Sequence, residues 1–202
     1  MARPRTTSDE AILRASARAI SLHGPQGFTL AAAAREAGLA AATLVQRFGS
    51  KRGLLLAVAA HSARTAGAPF EQARCEHASP LAALHAALAS LASGVSTPRE
   101  LAGSLGFLQL DLTDPDFREH AAEHTRRMRQ EIAELLADGV AAGELAPGAD
   151  VTALARAVQI TYNGTLIVWA LSGDDTLTAA LRHDLAETLR PHLAAGRTGS
   201  RS

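Results

Sequence analysis

The sequence predicts an all-α fold, and three observations carry that prediction. Hydrophobic residues are 47% of the chain and aromatic residues only 3%, with alanine abundant throughout. That suits closely packed helices and is poor in the Val, Ile, Thr and aromatic residues a sheet wants. Apolar residues recur at three- and four-residue spacing over most of the length, the period of a helix with one buried face. The segments so marked open at Ser, Thr, Asp or Pro and close at Gly, as helix ends do.

The totals set further bounds. With 202 residues the chain holds one large or two small domains and buries a sizeable core. The lone Cys75 excludes an intramolecular disulfide and suits a reducing cytosol. No N-terminal apolar segment and no run of 18 apolar residues is present, so a cytoplasmic location without membrane insertion is expected. The net charge is zero, but it is unevenly spread. Residues 1–65 carry nine basic and three acidic residues, a net of +6, and the rest carry eleven against seventeen, a net of −6. A basic first third on an acidic remainder is the footprint of a nucleic-acid-binding head on a body that stays off nucleic acid.

In chain order, residues 1–7 (MARPRTT) form a basic, mobile arm. A first helix over about 8–22 has Asp9 and Glu10 at its positive end and a stripe of Ile12, Ala15, Ala19 and Leu22. His23-Gly24-Pro25 stops it, and Phe28 plugs the small core that follows. Thr29 caps a second helix over 30–37, and Gly38 supplies the left-handed residue that ends it. A third helix over about 41–48 places Leu44 and Phe48 on one face. The pair, over about 29–48, is a helix-turn-helix, the second helix sized for a DNA major groove. Ser50 caps a fourth helix over about 51–65, which begins with the chain's only lysine, Lys51. A cation there opposes the helix dipole, so a phosphate contact explains it better than stability does.

Gly67-Ala68-Pro69 marks a boundary, after which the chain again reads helical. A helix over about 80–94 carries Leu81, Leu84, Leu88, Leu91 and Val95, and one over about 98–112 aligns Leu101, Leu105, Leu108 and Leu112. A long helix over about 114–142 has Phe117, Ala121, Met128, Ile132 and Leu135 in register. Two more follow, over about 150–171 and 176–193, before a disordered Gly/Ser/Arg tail at 196–202. The total is about nine helices. The first of the last pair is apolar on both sides, with Val151, Leu154, Val158, Tyr162, Leu166 and Trp169 on one and Ala153, Ala157, Ile160, Gly164, Ile167 and Leu171 on the other.

At these residues the chain resembles the tetracycline-repressor (TetR) family of bacterial regulators. Ile12-Leu13, Ala15, Gly24, Thr29, Ala37-Gly38, Thr43-Leu44, Phe48 and Ser50-Lys51 reproduce the family's first-domain pattern in order and spacing, with Leu54-Leu55 following. Two positions depart from it. Ala40 stands where the family has a Ser or Thr cap, an exchange that costs on the order of 1 kcal/mol. Val45 stands where the family favours a phosphate-touching Tyr, so that contact is lost or passes to a neighbour such as Arg47.

The resemblance implies a DNA-binding head over 1–52 and a regulatory, dimerising body over 53–195. It implies a homodimeric transcriptional regulator rather than an enzyme, with no cofactor, bound to a near-palindromic duplex operator as a repressor and released by a small-molecule effector. Gln46, one turn after Ala42, can pair bidentately with adenine, and Thr43 can reach a phosphate or a thymine methyl. Thr29, Ala41, Arg47 and Lys51 complete the DNA-facing set. The family's effector pocket would fall among Phe107, Leu108, Met128, Tyr162 and Leu166, with Asn163 or His124 as polar groups, and would take a mostly apolar molecule. The dimer would form through Gly164 and the leucine stripe Leu177, Leu181, Leu185 and Leu189, closing a four-helix bundle about a two-fold axis.

No Gly-rich phosphate loop, His-Glu-x-x-His, Cys-x-x-Cys or Gly-x-Ser-x-Gly motif is present. His120 and His124 share a helix face at metal-ligand spacing without a clear third ligand. His124, like His85, also sits on an apolar stripe, where a satisfied boundary histidine is the commoner case. The rival functions are therefore a metal-dependent helical enzyme using His120 and His124, and a helical adaptor that binds only proteins.

Overall fold

Side-chain caps set the starts of most helices. The computed structural model describes residues 7–173 and 175–194, apart from the side chains of Pro25, Gln26 and Ser104. The expected arm, Thr7 excepted, and the tail at 196–202 lie outside the described residues. Ser8 Oγ accepts from the Ala11 amide to open α1 (Asp9–Gly27), whose path is broken at Gly24, φ +66°. Thr29 opens α2 (Leu30–Glu36), Ala40 precedes α3 (Ala41–Phe48), and Ser50 opens α4 (Lys51–Arg64). Then come α5 (Ala68–Glu76), α6 (Pro80–Ala92), α7 (Pro98–Thr113), α8 (Pro115–Ala141), α9 (Val151–Ser172) and α10 (Leu177–Leu189). Ten α-helices thus stand among the described residues against about nine expected. The additional one is α5, with Pro69 in its first turn.

The chain packs as two units. One comprises the residues up to Ala66 together with Gly94–Thr125, the other Gly67–Ser93 together with the residues from Arg126 onward. The first unit has a core of Ile12, Leu13, Ala19, Ile20, Phe28, Leu44, Leu54, Leu55 and Phe117. Phe28 is wholly buried there, as expected. The compact unit is larger than the stretch 1–52 because both α4 and α7 pack on α1.

The close approach of α7 to α1 corrects two stripes. A Cβ on Gly103 would stand 2.3 Å from the Ser21 carbonyl oxygen, so only glycine lets the backbones come this near. Phe107 and Leu110, four and seven residues on, follow Gly103 onto the same side and pack on the core. The expected leucine stripe is thereby rotated outward: Leu101 is buried, but Leu108 is 47% and Leu112 62% exposed. On α1, Ile12, Ala15 and Ala19 are buried with Leu13, Ser16 and Ile20, while Leu22 lies off that face and is exposed.

The second unit gathers Phe70, Leu84, Leu88, Ile132, Leu135, Leu136, Leu145 and Val158. Arg74 donates to Glu131 at 2.6 Å and Glu134 at 3.2 Å, tying α5 to α8. Leu177, Leu181, Leu185 and Leu189 are all buried within the single chain, against α9 and α6. The assignment of these four leucines to a subunit interface is therefore corrected, because the α10 stripe closes its own unit. On α9, by contrast, Ile160, Ile167, Val168 and Leu171 remain exposed, with open space beside Gly164 between them.

Candidate nucleic-acid interface

The geometry of the helix-turn-helix follows from a few local bonds. Thr29 Oγ1 accepts from the Ala32 amide at 3.1 Å, which fixes the start of α2. At its end Gly38 adopts φ +67°. Its amide donates to Arg35 O at 3.2 Å, and the next amide, Leu39, donates to Ala34 O at 2.8 Å. This Schellman closure satisfies the last carbonyls of α2 and turns the chain into α3. Ala40 has the extended backbone of an N-cap, φ −77° and ψ 143°, but no side-chain cap bond. Leu44 then points wholly into the core, which fixes the rotation of α3 about its axis.

With Leu44 inward, Ala42 and Gln46 stand exposed one turn apart on the opposite side. Ala41 and Thr43 flank them half-buried, and Thr29 is exposed at the start of α2 with its hydroxyl committed to the cap. Lys51 is the half-buried first residue of α4, behind the Ser50 cap, whose Oγ accepts from the Gly53 amide at 3.0 Å. Arg47 folds back instead, its Nη1 donating to Thr7 O at 2.7 Å and Asp9 Oδ1 at 3.0 Å. Of the seven expected residues, Ala41, Ala42, Thr43 and Gln46 lie on α3, Lys51 opens α4 just beyond it, Thr29 caps the start of α2, and Arg47 turns toward the start of α1.

Arg52, beside Lys51, was not anticipated. Its Nη2 donates to both carboxylate oxygens of Asp114, at 3.0 and 2.9 Å, and to Asp116 at 2.9 Å. Its guanidinium carbon lies 5.7 Å from the centre of the Phe117 ring. Hydrogen bonding to Asp114 and then Asp116 raises the Arg52 pKa, and the same bond holds Asp114 below the usual carboxylate range. This cluster ties the start of α4, and so the position of Lys51, to the α7–α8 turn. Only the acidic pair around Pro115 hinted at it, and nothing in the sequence connects that pair to a residue 62 positions earlier.

The expected pocket residues fall in both units. Phe107 packs against Phe117 in the first unit, ring centres 6.2 Å apart, with Leu108 exposed nearby in sequence. His124 Nδ1 lies 3.2 Å from Ser62 O, also in the first unit. In the second unit Met128 and Tyr162 are buried, Leu166 is half-buried and Asn163 exposed. Burial alone pushes the Tyr162 hydroxyl pKa up, keeping it a neutral donor. Among the described residues no third His, Cys, Asp or Glu joins His120 and His124 in a metal-binding group. Among the same residues no helix is long and apolar enough to cross a membrane.

Comparison with known proteins agrees with this arrangement. Residues 12–58 match the family model described as bacterial regulatory proteins, tetR family. Residues 80–194, more than half of the chain, match that of the BetI-type transcriptional repressor C-terminal domain. No curated protein matches by sequence. Among solved structures, a TetR-family regulator from Rhodococcus sp. is 23% identical over 89% of this chain and 95% of its own, with a TM-score of 0.65. The regulator PfmR from Thermus thermophilus is 23% identical over 89% and 97%, TM-score 0.62. A TetR-family regulator from Cytophaga hutchinsonii is 14% identical over 93% and 95%, TM-score 0.72. Matched along both its segments, and with no enzymatic role in the family, the chain belongs to the TetR family of DNA-binding transcriptional regulators.

Proposed function

We propose that this regulator represses transcription as a cytoplasmic homodimer on a near-palindromic operator, and that a mostly apolar small molecule releases it. The observation that carries the DNA part is the orientation of α3, with Leu44 wholly buried and Ala42 and Gln46 exposed one turn apart. Gln46 is the base reader, Thr43 touches a phosphate or thymine methyl, and Thr29, Ala41, Arg47 and Lys51 serve the backbone. The head that does this is residues 1–52. Met128, Tyr162 and Leu166 of the second unit supply the apolar character of the effector site, and release means that the effector favours a conformer whose recognition helices no longer fit successive grooves. The dimer forms through the exposed side of α9 around Gly164.

Selection of preferred duplexes from a random pool tests the DNA part. Gln46→Ala should relax base preference at one position per half-site, a loss of about 1–3 kcal/mol of discrimination. Lys51→Ala should weaken all sequences alike and flatten the salt dependence. A Gln46→Ala protein that keeps its preferred sequence while binding everything more weakly would remove Gln46 from base reading.

A further inference from the structure

Arg47 does not point where its neighbours on α3 point. Gln46 leaves the helix opposite Leu44, and Arg47 leaves about 100° further round, toward the start of α1. Its Nη1 holds two acceptors at once, the Thr7 carbonyl and the Asp9 carboxylate. The Arg47 side chain is only 26% exposed, whereas that of Asp9 is 68% exposed. The cation is partly covered and its anion stands in water.

A carboxylate offers a guanidinium the same anionic oxygens that a phosphate does. An exposed pair such as this is held weakly, because water competes for the anion. Duplex DNA, by contrast, presents about one phosphate charge per 1.7 Å of its axis. Val45 on α3 can donate nothing, and Arg47 is the one basic residue of that helix.

We propose that Asp9 is an internal stand-in for an operator phosphate, occupying Arg47 in the free protein and yielding it to DNA on docking. The proposal rests on reading α3 as the recognition helix. The exchange balances: the Arg47–Asp9 pair breaks, the Arg47–phosphate pair forms, the neutralised phosphate sheds its condensed counterion, and the freed Asp9, an isolated charge, returns to water. Asp9 therefore lowers the affinity that Arg47 brings without changing the number of phosphates neutralised. The contact keeps this arginine from adding to sequence-independent attraction until α3 is seated.

The test is titration of the full chain against a labelled mixed-sequence duplex of about 30 base pairs over roughly 50–200 mM salt. Wild type, Asp9→Asn, Arg47→Ala and the double variant are compared. Asparagine keeps the shape of Asp9 and one acceptor oxygen, and circular dichroism checks that helix content is unchanged. Asp9→Asn should bind more tightly at every salt concentration with the slope of log affinity against log salt unchanged, whereas Arg47→Ala should make that slope shallower by about one unit. The double variant should behave as Arg47→Ala does. An equal gain from Asp9→Asn in the Arg47→Ala background would overturn the proposal, since Asp9 would then act as a bare repelling charge. Weaker binding by Asp9→Asn would also overturn it, making Asp9 a support for the arginine. If the wild type binds no duplex even at low salt, the assignment of α3 as a recognition helix fails as well.

Discussion

At the scale of single residues, the least comfortable charge is Asp111 on α7. It is half-buried, and burial alone pushes its carboxyl up to about 6. Its folded value therefore lies above the unfolded one, so the proton is held more tightly in the native state. The stability this brings is fully present below about pH 4 and is lost as pH rises through about 6. Near neutral pH the ionised form is a cost, about 1 kcal/mol once its partial exposure is allowed for. Asp111→Asn should add that much to the urea-unfolding free energy at about pH 7.5 and nothing at about pH 4. An equal gain at both values would assign the effect to something other than the carboxylate. Arg52 is the opposite case, a cation whose partners Asp114 and Asp116 keep it charged and fixed.

At the scale of elements, α3, like α5, starts without a side-chain cap bond. Ala40 already has cap geometry, so a hydroxyl there finds the first-turn amides without moving the backbone. Ala40→Ser should stabilise the protein by about 1 kcal/mol, or roughly 2–4 °C in Tm for a chain this long. An unchanged Tm would show that those amides are already served by water. The helix-turn-helix was legible in the sequence because its determinants are local: Thr29, Gly38 and Ser50 act within a few residues of themselves. Packing partners were not. A leucine every third or fourth residue marks a helix as apolar without saying which neighbour covers it, and on α7 the deciding residue was Gly103, which has no side chain to count. On α10 the same ambiguity put Leu177, Leu181, Leu185 and Leu189 on a subunit surface, when α9 and α6 of the same chain bury them. The Arg52 cluster was hidden for a plainer reason, since its partners are distant in sequence.

At the scale of the whole molecule, the exposed apolar side of α9 lets the proposed association be tested apart from folding. Leu171 is 84% exposed and Val168 61%. Val168→Glu with Leu171→Glu should give a monomer of unchanged helix content by sedimentation at micromolar concentration, and that monomer should lose tight operator binding. Leu181→Glu should instead unfold the second unit, because the charge would be buried without a partner. A Val168→Glu, Leu171→Glu protein that stays dimeric would move the interface elsewhere. The way the chain threads its two units has a consequence for synthesis. The first unit needs α7 and the opening turns of α8, so it stays unfinished until residue 125 has been translated, long after the recognition helix has left the ribosome. In a growing chain α1 to α3 emerge well before α7, and for that interval the face of α1 that awaits Gly103 and Phe107 lies bare to whatever chaperone stands at the exit.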